Sequence, residues 1–346
     1  MKKILLVVMA MCLAIAMVGC SSETTGEDGN KKEVIGFITD TGGLGDLGFN
    51  DAVHAGVLKA GEEFGVEVKV VETVDQSDYA NNMRALLNDG ATIISCAGET
   101  FKDALITVSS EYPDAKFIVS DINIDGIDNV TTTMFKEQEA AYLLGAFAGL
   151  VTKTDKVGYI AGKESPLQER TKVSFEAGFA SVNKDGKVTS LYSGTYSDVN
   201  KGNDIATSLY TQGNDFVASF SGAVNLGLFK AVNEAGEGSY ALGAALGQFE
   251  LNPEKIMASQ VKTVDKAIYT SLSEYLNGSF VPGVVSRGIE AGGVDLLFNP
   301  NSELLSTIAS DEVLLQIEEI RNQIIAGEIV PPTTEEELET FISNLK

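Results

Sequence analysis

The stretch VIGFITDTGGLGDLGFNDAVHAGVLKAGEEFG, residues 34–65, decides the fold. Residues 34–40 are a short, β-branched apolar run that reads as a buried strand. A glycine-rich turn follows, and then a helix from Asp51 to Gly65. The pattern recurs: VEVKVVETV (66–74), ATIISCAG (91–98), KFIVSD (116–121) and NVTTTMF (129–135) read as strands. Helices run between them over Tyr79–Asp89 and Phe101–Tyr112. Such alternation, joined by right-handed crossovers, predicts an α/β fold with a parallel sheet covered on both faces.

The order then repeats. A helix over Gln138–Thr152 leads to VGYIAG (157–162), a helix over Gln168–Asn183 and the run KVTSLYSGTY (187–196). A helix over Asn203–Tyr210, DFVASFSG (215–222), a helix over Asn225–Ala235, YALGAALG (240–247) and KIMASQVK (255–262) follow. Two Rossmann-like lobes are predicted, with residues 263–346 shared between them. Lobes joined by several short connections make a hinge with a cleft. In open parallel sheets, ligands sit outside the carboxyl ends of the strands. Asp40, Gly98, Asp121, Phe135, Gly162, Gly222, Gly247 and Lys262 hold those ends.

Composition narrows the function. The chain has 346 residues, 25 Lys+Arg against 49 Asp+Glu, a net charge of −24, one His, three Cys and no Trp. Nucleic-acid binding needs clustered cations and is excluded. One His and scattered Cys supply no zinc site, so no metal and no cofactor is expected. A Ser-His-Asp hydrolase would have to use His54, and no nucleophile is arranged around it. The chain reads as a non-enzyme with no catalytic residues. His54 reads as a satisfied helix residue or, one turn after Asn50, as part of the cleft rim.

Residues 1–19 carry Lys2 and Lys3 before an apolar stretch, Ile4 to Val18, that is shorter than the roughly 20 residues of a membrane span. They read as a signal peptide. Met17-Val18-Gly19-Cys20 resembles a lipobox, which makes Cys20 the lipidated N-terminus of the mature protein. Residues 20–32 are a flexible tether. The protein is therefore expected at the cell membrane, lipid-anchored on its extracytoplasmic face. Cys12 is lost with the leader, and Cys96, in an apolar run, reads as a small buried hydrophobe.

The turn after the first strand contains Gly43-Leu44-Gly45-Asp46-Leu47-Gly48, a literal GxGxxG between a strand and a helix. The acid a dinucleotide site needs, Glu72 or Asp75, lies beyond the usual spacing. A lone GxGxxG in a glycine-rich exported chain carries little weight. The segment TDTGGLGDLGFND (39–51) instead resembles the opening signature of the basic membrane protein family. These are purine-nucleoside-receptor-like lipoproteins of ABC transporters, and Asp40, Phe49 and Asn50 match. DYANNMRALLNDGATIISCAG, YPDAKFIVSD, FKEQEAAYLLGAFAG, KVGYIAGKESP, FEAGFASV, GNDFVASFSG and ASQVKTVDKAIY fall in the family order.

The resemblance implies a type I periplasmic-binding-protein fold, with two parallel-sheet lobes joined by three crossovers and one ligand in the cleft. Lobe 1 is then 33–136 plus about 264–290, and lobe 2 is 137–263 plus about 291–346. It implies a small ring solute (a nucleoside, a nucleobase or similar) and an ABC permease as partners. Phe49 matches the residue that stacks on the base, Asn50 a polar contact, and Lys262 a ribose contact. Each also has a local reading: Phe49 as a hydrophobic staple, Asn50 as an N-cap, and Lys262 as the partner of an inter-lobe acid. Asp40 and Asp121 end strands, where a buried carboxylate needs donors. Both are expected to touch the ligand, as is Gly222.

The chain departs from the family at four places. Gly48 stands for a serine. Ala218 stands for an aromatic that Phe220, on the same sheet face, is expected to replace. Ala245 and Gly247 stand for two aspartates in the run before Gln248. Losing a charged acceptor for ribose predicts about ten- to hundredfold weaker nucleoside binding. The alternative function is a surface interaction or sensor lipoprotein with an altered cleft.

Overall fold

The computed structural model describes residues 32–45, 48–245 and 247–345. The predicted leader, Cys20, nearly all of the tether, and Asp46 and Leu47 of the glycine-rich turn lie outside the described residues.

Local patterning builds the elements in the expected order. The first half has β1 (Val34–Ile38), α1 (Phe49–Phe64), β2 (Glu67–Val71), α2 (Tyr79–Asn88), β3 (Ile93–Ala97), α3 (Lys102–Glu111), β4 (Lys116–Ser120) and β5 (Val130–Phe135). The second has α4 (Glu137–Val151), β6 (Lys156–Ala161), α5 (Pro166–Val182), β7 (Lys187–Tyr192), α6 (Val199–Thr211), β8 (Phe216–Phe220), α7 (Val224–Glu234), β9 (Tyr240–Ala245) and β10 (Ile256–Lys262). The shared segment adds α8 (Val264–Leu276), β11 (Gly283–Arg287), β12 (Val294–Phe298), α9 (Ser302–Ile308), α10 (Asp311–Ile325) and α11 (Glu335–Asn344).

Two six-stranded sheets result, ordered β11-β5-β4-β3-β1-β2 and β12-β10-β9-β8-β6-β7. The expectation of wholly parallel sheets needs one correction, because β12 runs antiparallel to β10. The chain leaves β11 at the end facing the other lobe and reaches β12 within residues 288–293. A parallel entry would need a crossover of a dozen residues or more.

The chain passes between the sheets three times, after β5, after β10 and after β11. The passages are tied together: Lys136 N–H donates to the Arg287 carbonyl (3.0 Å) and Thr263 N–H to the Gly293 carbonyl (2.9 Å). The Glu139 carboxylate accepts from Ile289 N–H at 2.8 Å.

Helix α4 is apolar almost all round and is buried accordingly. It crosses α5 at very short range. A Cβ on Gly145 would lie 2.0 Å from the Phe175 carbonyl oxygen, and one on Gly178 would lie 2.0 Å from that of Tyr142. Cys96 is buried as expected, and burial pushes its thiol pKa far up. Among the described residues, no helix is long and apolar enough to cross a membrane.

Three boundaries differ from the pattern reading. Helix α1 begins at Phe49, so Phe49 lies within its first turn. Strand β7 stops at Tyr192 and leaves residues 193–196 as a loop. Helix α6 starts at Val199, because the Asp198 carboxylate caps it by accepting from Lys201 N–H at 2.9 Å.

Candidate functional site

The carboxyl ends of both sheets face one cavity. Counting all non-atom space and its solvent mouth, it spans about 840 Å³. Asp40, Phe49, Asn50 and Asp121 line it from the first lobe, and Phe220, Gly222 and Lys262 from the second. All seven candidate contacts are thus brought together. Of the other strand ends, Gly98 lines the cavity, whereas Phe135, Gly162 and Gly247 do not. His54 is not at the rim; its ring stacks on Phe37 at 5.3 Å.

Asp40 and Asn50 clamp each other. Asp40 Oδ1 accepts from Asn50 Nδ2 (2.7 Å) and from Gly42 N–H (2.7 Å), and Asp40 N–H donates to Asn50 Oδ1 (3.1 Å). The N-cap of α1 is Gly48, so the capping role open to Asn50 is not the one it takes. Burial raises the Asp40 pKa against these hydrogen bonds.

Asp121 sits just past β4 with φ +58°, a left-handed conformation that aspartate tolerates better than most residues. Its Oδ2 accepts from Lys262 Nζ at 2.8 Å. Its Oδ1 is buried with no hydrogen-bond partner. Burial, only partly offset by Lys262 and reinforced by Glu137, pushes its pKa up to about 6. An orphaned buried acceptor calls for a donor from elsewhere.

Lys262 takes the ion-pair reading. Besides Asp121, its Nζ donates to Glu137 Oε1 at 2.6 Å, and Arg170 holds Glu137 Oε2 at 2.8 Å. Burial disfavours these charges, but opposite neighbours outweigh it. The Lys262 pKa is raised and the Glu137 pKa is lowered. The ammonium also lies 5.3, 5.1 and 5.5 Å from the ring centres of Phe49, Phe135 and Phe220, within cation–π range.

Sequence reasoning missed Glu137 and Arg170, which complete this charge chain. The available signal was an acid opening an otherwise apolar helix. It also missed Tyr196, which lines the cavity from the loop after β7; Ser193-Gly194 was the turn signal that ends the strand. Gln168 was missed too. Its Oε1 accepts from Gly162 N–H (2.8 Å) and its Nε2 donates to the Phe220 carbonyl (3.0 Å), tying together the ends of β6 and β8. Asn225, which lines the cavity with Gln248, joins Ser219 (2.6 Å) to Gln248 (3.1 Å). Ala218 is buried away from the cavity, while Phe220 lines it.

The walls differ in character. The first lobe presents the Phe49 ring and three carboxylates, Asp40, Glu99 and Asp121; the second presents the rings of Phe220 and Tyr196, neutral amides and the Lys262 ammonium. Ala245, with φ +56°, holds the place after β8 and β9 that Asp121 holds after β3 and β4. The cavity thus has the chemistry to stack a flat ring and accept from its N–H or O–H groups.

A family model described as "ABC transporter substrate-binding protein PnrA-like" (Bmp) matches residues 32–335. Basic membrane protein A1 of Borrelia garinii subsp. bavariensis is 30% identical over 349 residues, covering 99% of each chain. The ABC transporter nucleoside-binding protein BmpA of Lactococcus lactis subsp. cremoris is 30% identical over 359 residues, covering 96% of this chain and 100% of that protein. An ABC transporter solute-binding protein from Aeropyrum pernix has a TM-score of 0.82 at 26% identity, covering 90% of this chain and 97% of that one. A transcriptional activator of the comK gene from Bacillus halodurans, at 22% identity, has a TM-score of 0.71 over 86% of this chain and 100% of that one, a likeness of fold alone.

Proposed function

Because the chain belongs to the Bmp family of ABC transporter substrate-binding proteins, we propose that it is a lipid-anchored receptor on the extracytoplasmic face of the cell membrane. It captures one small ring-containing solute, a purine nucleoside or a nucleobase-like ring, and hands it to a membrane permease without turnover. Cys20 carries the lipid. The two lobes, 33–136 with 264–290 and 137–263 with 291–346, move as units about the three passages.

The observation that carries the reading is the convergence of two phenylalanines and two strand-end carboxylates on one cavity between the lobes. Phe49 and Phe220 stack on the ring, Asp40 and Asp121 accept from it, and Asn50, Gly222 and Lys262 complete the wall. The orphaned Asp121 Oδ1 supports a ligand donor at that point. The nucleoside class draws further support from the name of the Lactococcus relative. An intact, ring-flanked cavity favours the receptor over a surface interaction protein with a degenerate cleft.

Thermal shift against nucleosides and nucleobases tests the proposal. A ligand at 100 times its Kd adds about 2.7 kcal/mol of stability, and a panel without any stabilising solute would overturn it. Ala245→Asp refines the class. It supplies a charged acceptor where the backbone is already left-handed, a conformation aspartate adopts more readily than alanine. Affinity for ribonucleosides should rise about tenfold over the bare bases, measured by titration calorimetry.

A further inference from the structure

We infer that Tyr196 is a ligand-facing wall of the cavity, and that Gly162 is the seat that aims its ring. The ligand-facing half rests on the receptor reading above; the seat does not. Tyr196 is carried by the loop between β7 and α6, and its ring closes one side of the cavity.

Four observations show that the ring and its loop are built into place. A Cβ on Gly162 would lie 2.2 Å from Tyr196 Cε1 and 2.8 Å from Cδ1. The ring therefore lies against the backbone at the end of β6, where no other residue type leaves it room. A Cβ on Gly222 would lie 2.9 Å from the Tyr196 carbonyl oxygen, so the main chain of the loop is equally close to the end of β8. That carbonyl accepts from Ala223 N–H at 2.9 Å. The loop is tied further along, where Thr195 Oγ1 accepts from Ser197 N–H (3.2 Å) and Asp198 N–H (3.3 Å).

An aromatic face held by a backbone tie and a glycine seat loses little freedom when a ligand stacks on it, and preorganisation of this kind favours affinity. Glu99 faces it from the first lobe and, after burial, is the next cause of a tyrosine pKa of about 12. The phenol thus stays neutral at any working pH, and the ring acts as a stacking face with a hydroxyl at its edge.

The chain contains no tryptophan, so Tyr196→Trp supplies a single fluorescent reporter. If Gly162 is the seat, adding Gly162→Ala to that variant shifts the emission to the red and raises acrylamide quenching about twofold. Unchanged emission and quenching overturn the seat. The ligand-facing half is read with adenine, hypoxanthine and their nucleosides. Loss of a stacked ring, in Tyr196→Ala, should raise Kd about tenfold, while Tyr196→Phe stays within about threefold. Gly162→Ala should weaken binding in the parent and add nothing in the Tyr196→Ala background, the non-additivity expected of a residue acting through the ring. Parent-like affinity in Tyr196→Ala overturns the ligand-facing role while leaving the receptor reading intact. A parent stabilised neither by these solutes nor by the wider panel of nucleosides and nucleobases overturns both, and the fluorescence pair then still decides the seat.

Discussion

Asp121 turns one carboxylate oxygen to Lys262 and leaves the other buried without a partner. Its folded pKa, about 6, lies above the unfolded value of 3.8. Ionisation of this group therefore opposes folding. The stability it contributes is complete below about pH 4 and is lost as pH rises through about 6. Binding follows the opposite sign, because a ligand N–H or O–H seeks the carboxylate. Affinity for a donor-bearing ring should be flat from pH 7 to 8 and fall towards tenfold per unit below about pH 6. In Asp121→Asn that slope should vanish. Calorimetric titrations from pH 5 to 8 check it, and an identical slope in the variant would assign the titration to another group. At this scale the sequence was informative about residue type and offered Lys262 an inter-lobe acid as a partner without saying which acid. A strand-ending aspartate is legible as a candidate; that one oxygen would be taken and the other orphaned depends on where Lys262 arrives.

Helices α4 and α5 show what a single element can and cannot reveal about itself. The apolar run of α4 announces burial on every side, and the pattern located the helix within a residue at each end. Nothing local announces that Gly145 and Gly178 meet opposing backbone carbonyls. Gly145→Ala improves intrinsic helix propensity by about 1 kcal/mol, yet must push the helices apart. The expected net result is a destabilisation of about 1–3 kcal/mol, read from the urea midpoint; a more stable variant would refute the close packing. Element boundaries were legible where a cap or turn was weighed and were missed where it was not. Asp198 was the overlooked start of α6, and Ser193-Gly194 the overlooked end of β7. Extending β7 to Tyr196 hid a cavity residue inside a presumed strand.

Across the whole molecule, the Asp121–Lys262 pair joins the end of a first-lobe strand to the end of a second-lobe strand, 141 residues apart. Glu137 and Arg170 extend it into α4 and α5. Charges this buried matter more when broken than when formed. Lys262→Ala strands the Asp121 carboxylate, leaves Glu137 with Arg170 alone, and should lower stability by about 3–5 kcal/mol. Breaking the solvent-exposed Arg84–Glu111 pair should leave stability nearly unchanged. Equilibrium denaturation of the two variants side by side checks the contrast, and equal losses would mean that the inter-lobe chain carries no special weight.

What the sequence determined alone is whatever repeats over short range. Strand and helix periodicity, the doubling of the βα order and the matched strand-end signature all led to two α/β lobes and to all seven cavity residues named beforehand. What tertiary structure decided is whatever depends on two distant segments meeting. It ran β12 antiparallel, gave Lys262 Asp121 and Glu137 as its acids, set Asn50 as a clamp on Asp40 where a cap was one of two open readings, and set Tyr196 against Gly162. The reason is physical. Backbone conformation and amphipathic period are properties of neighbours along the chain. Pairing, orphaning and seating are instead fixed by distances of a few ångströms between atoms that the chain brings together only after both sheets have formed.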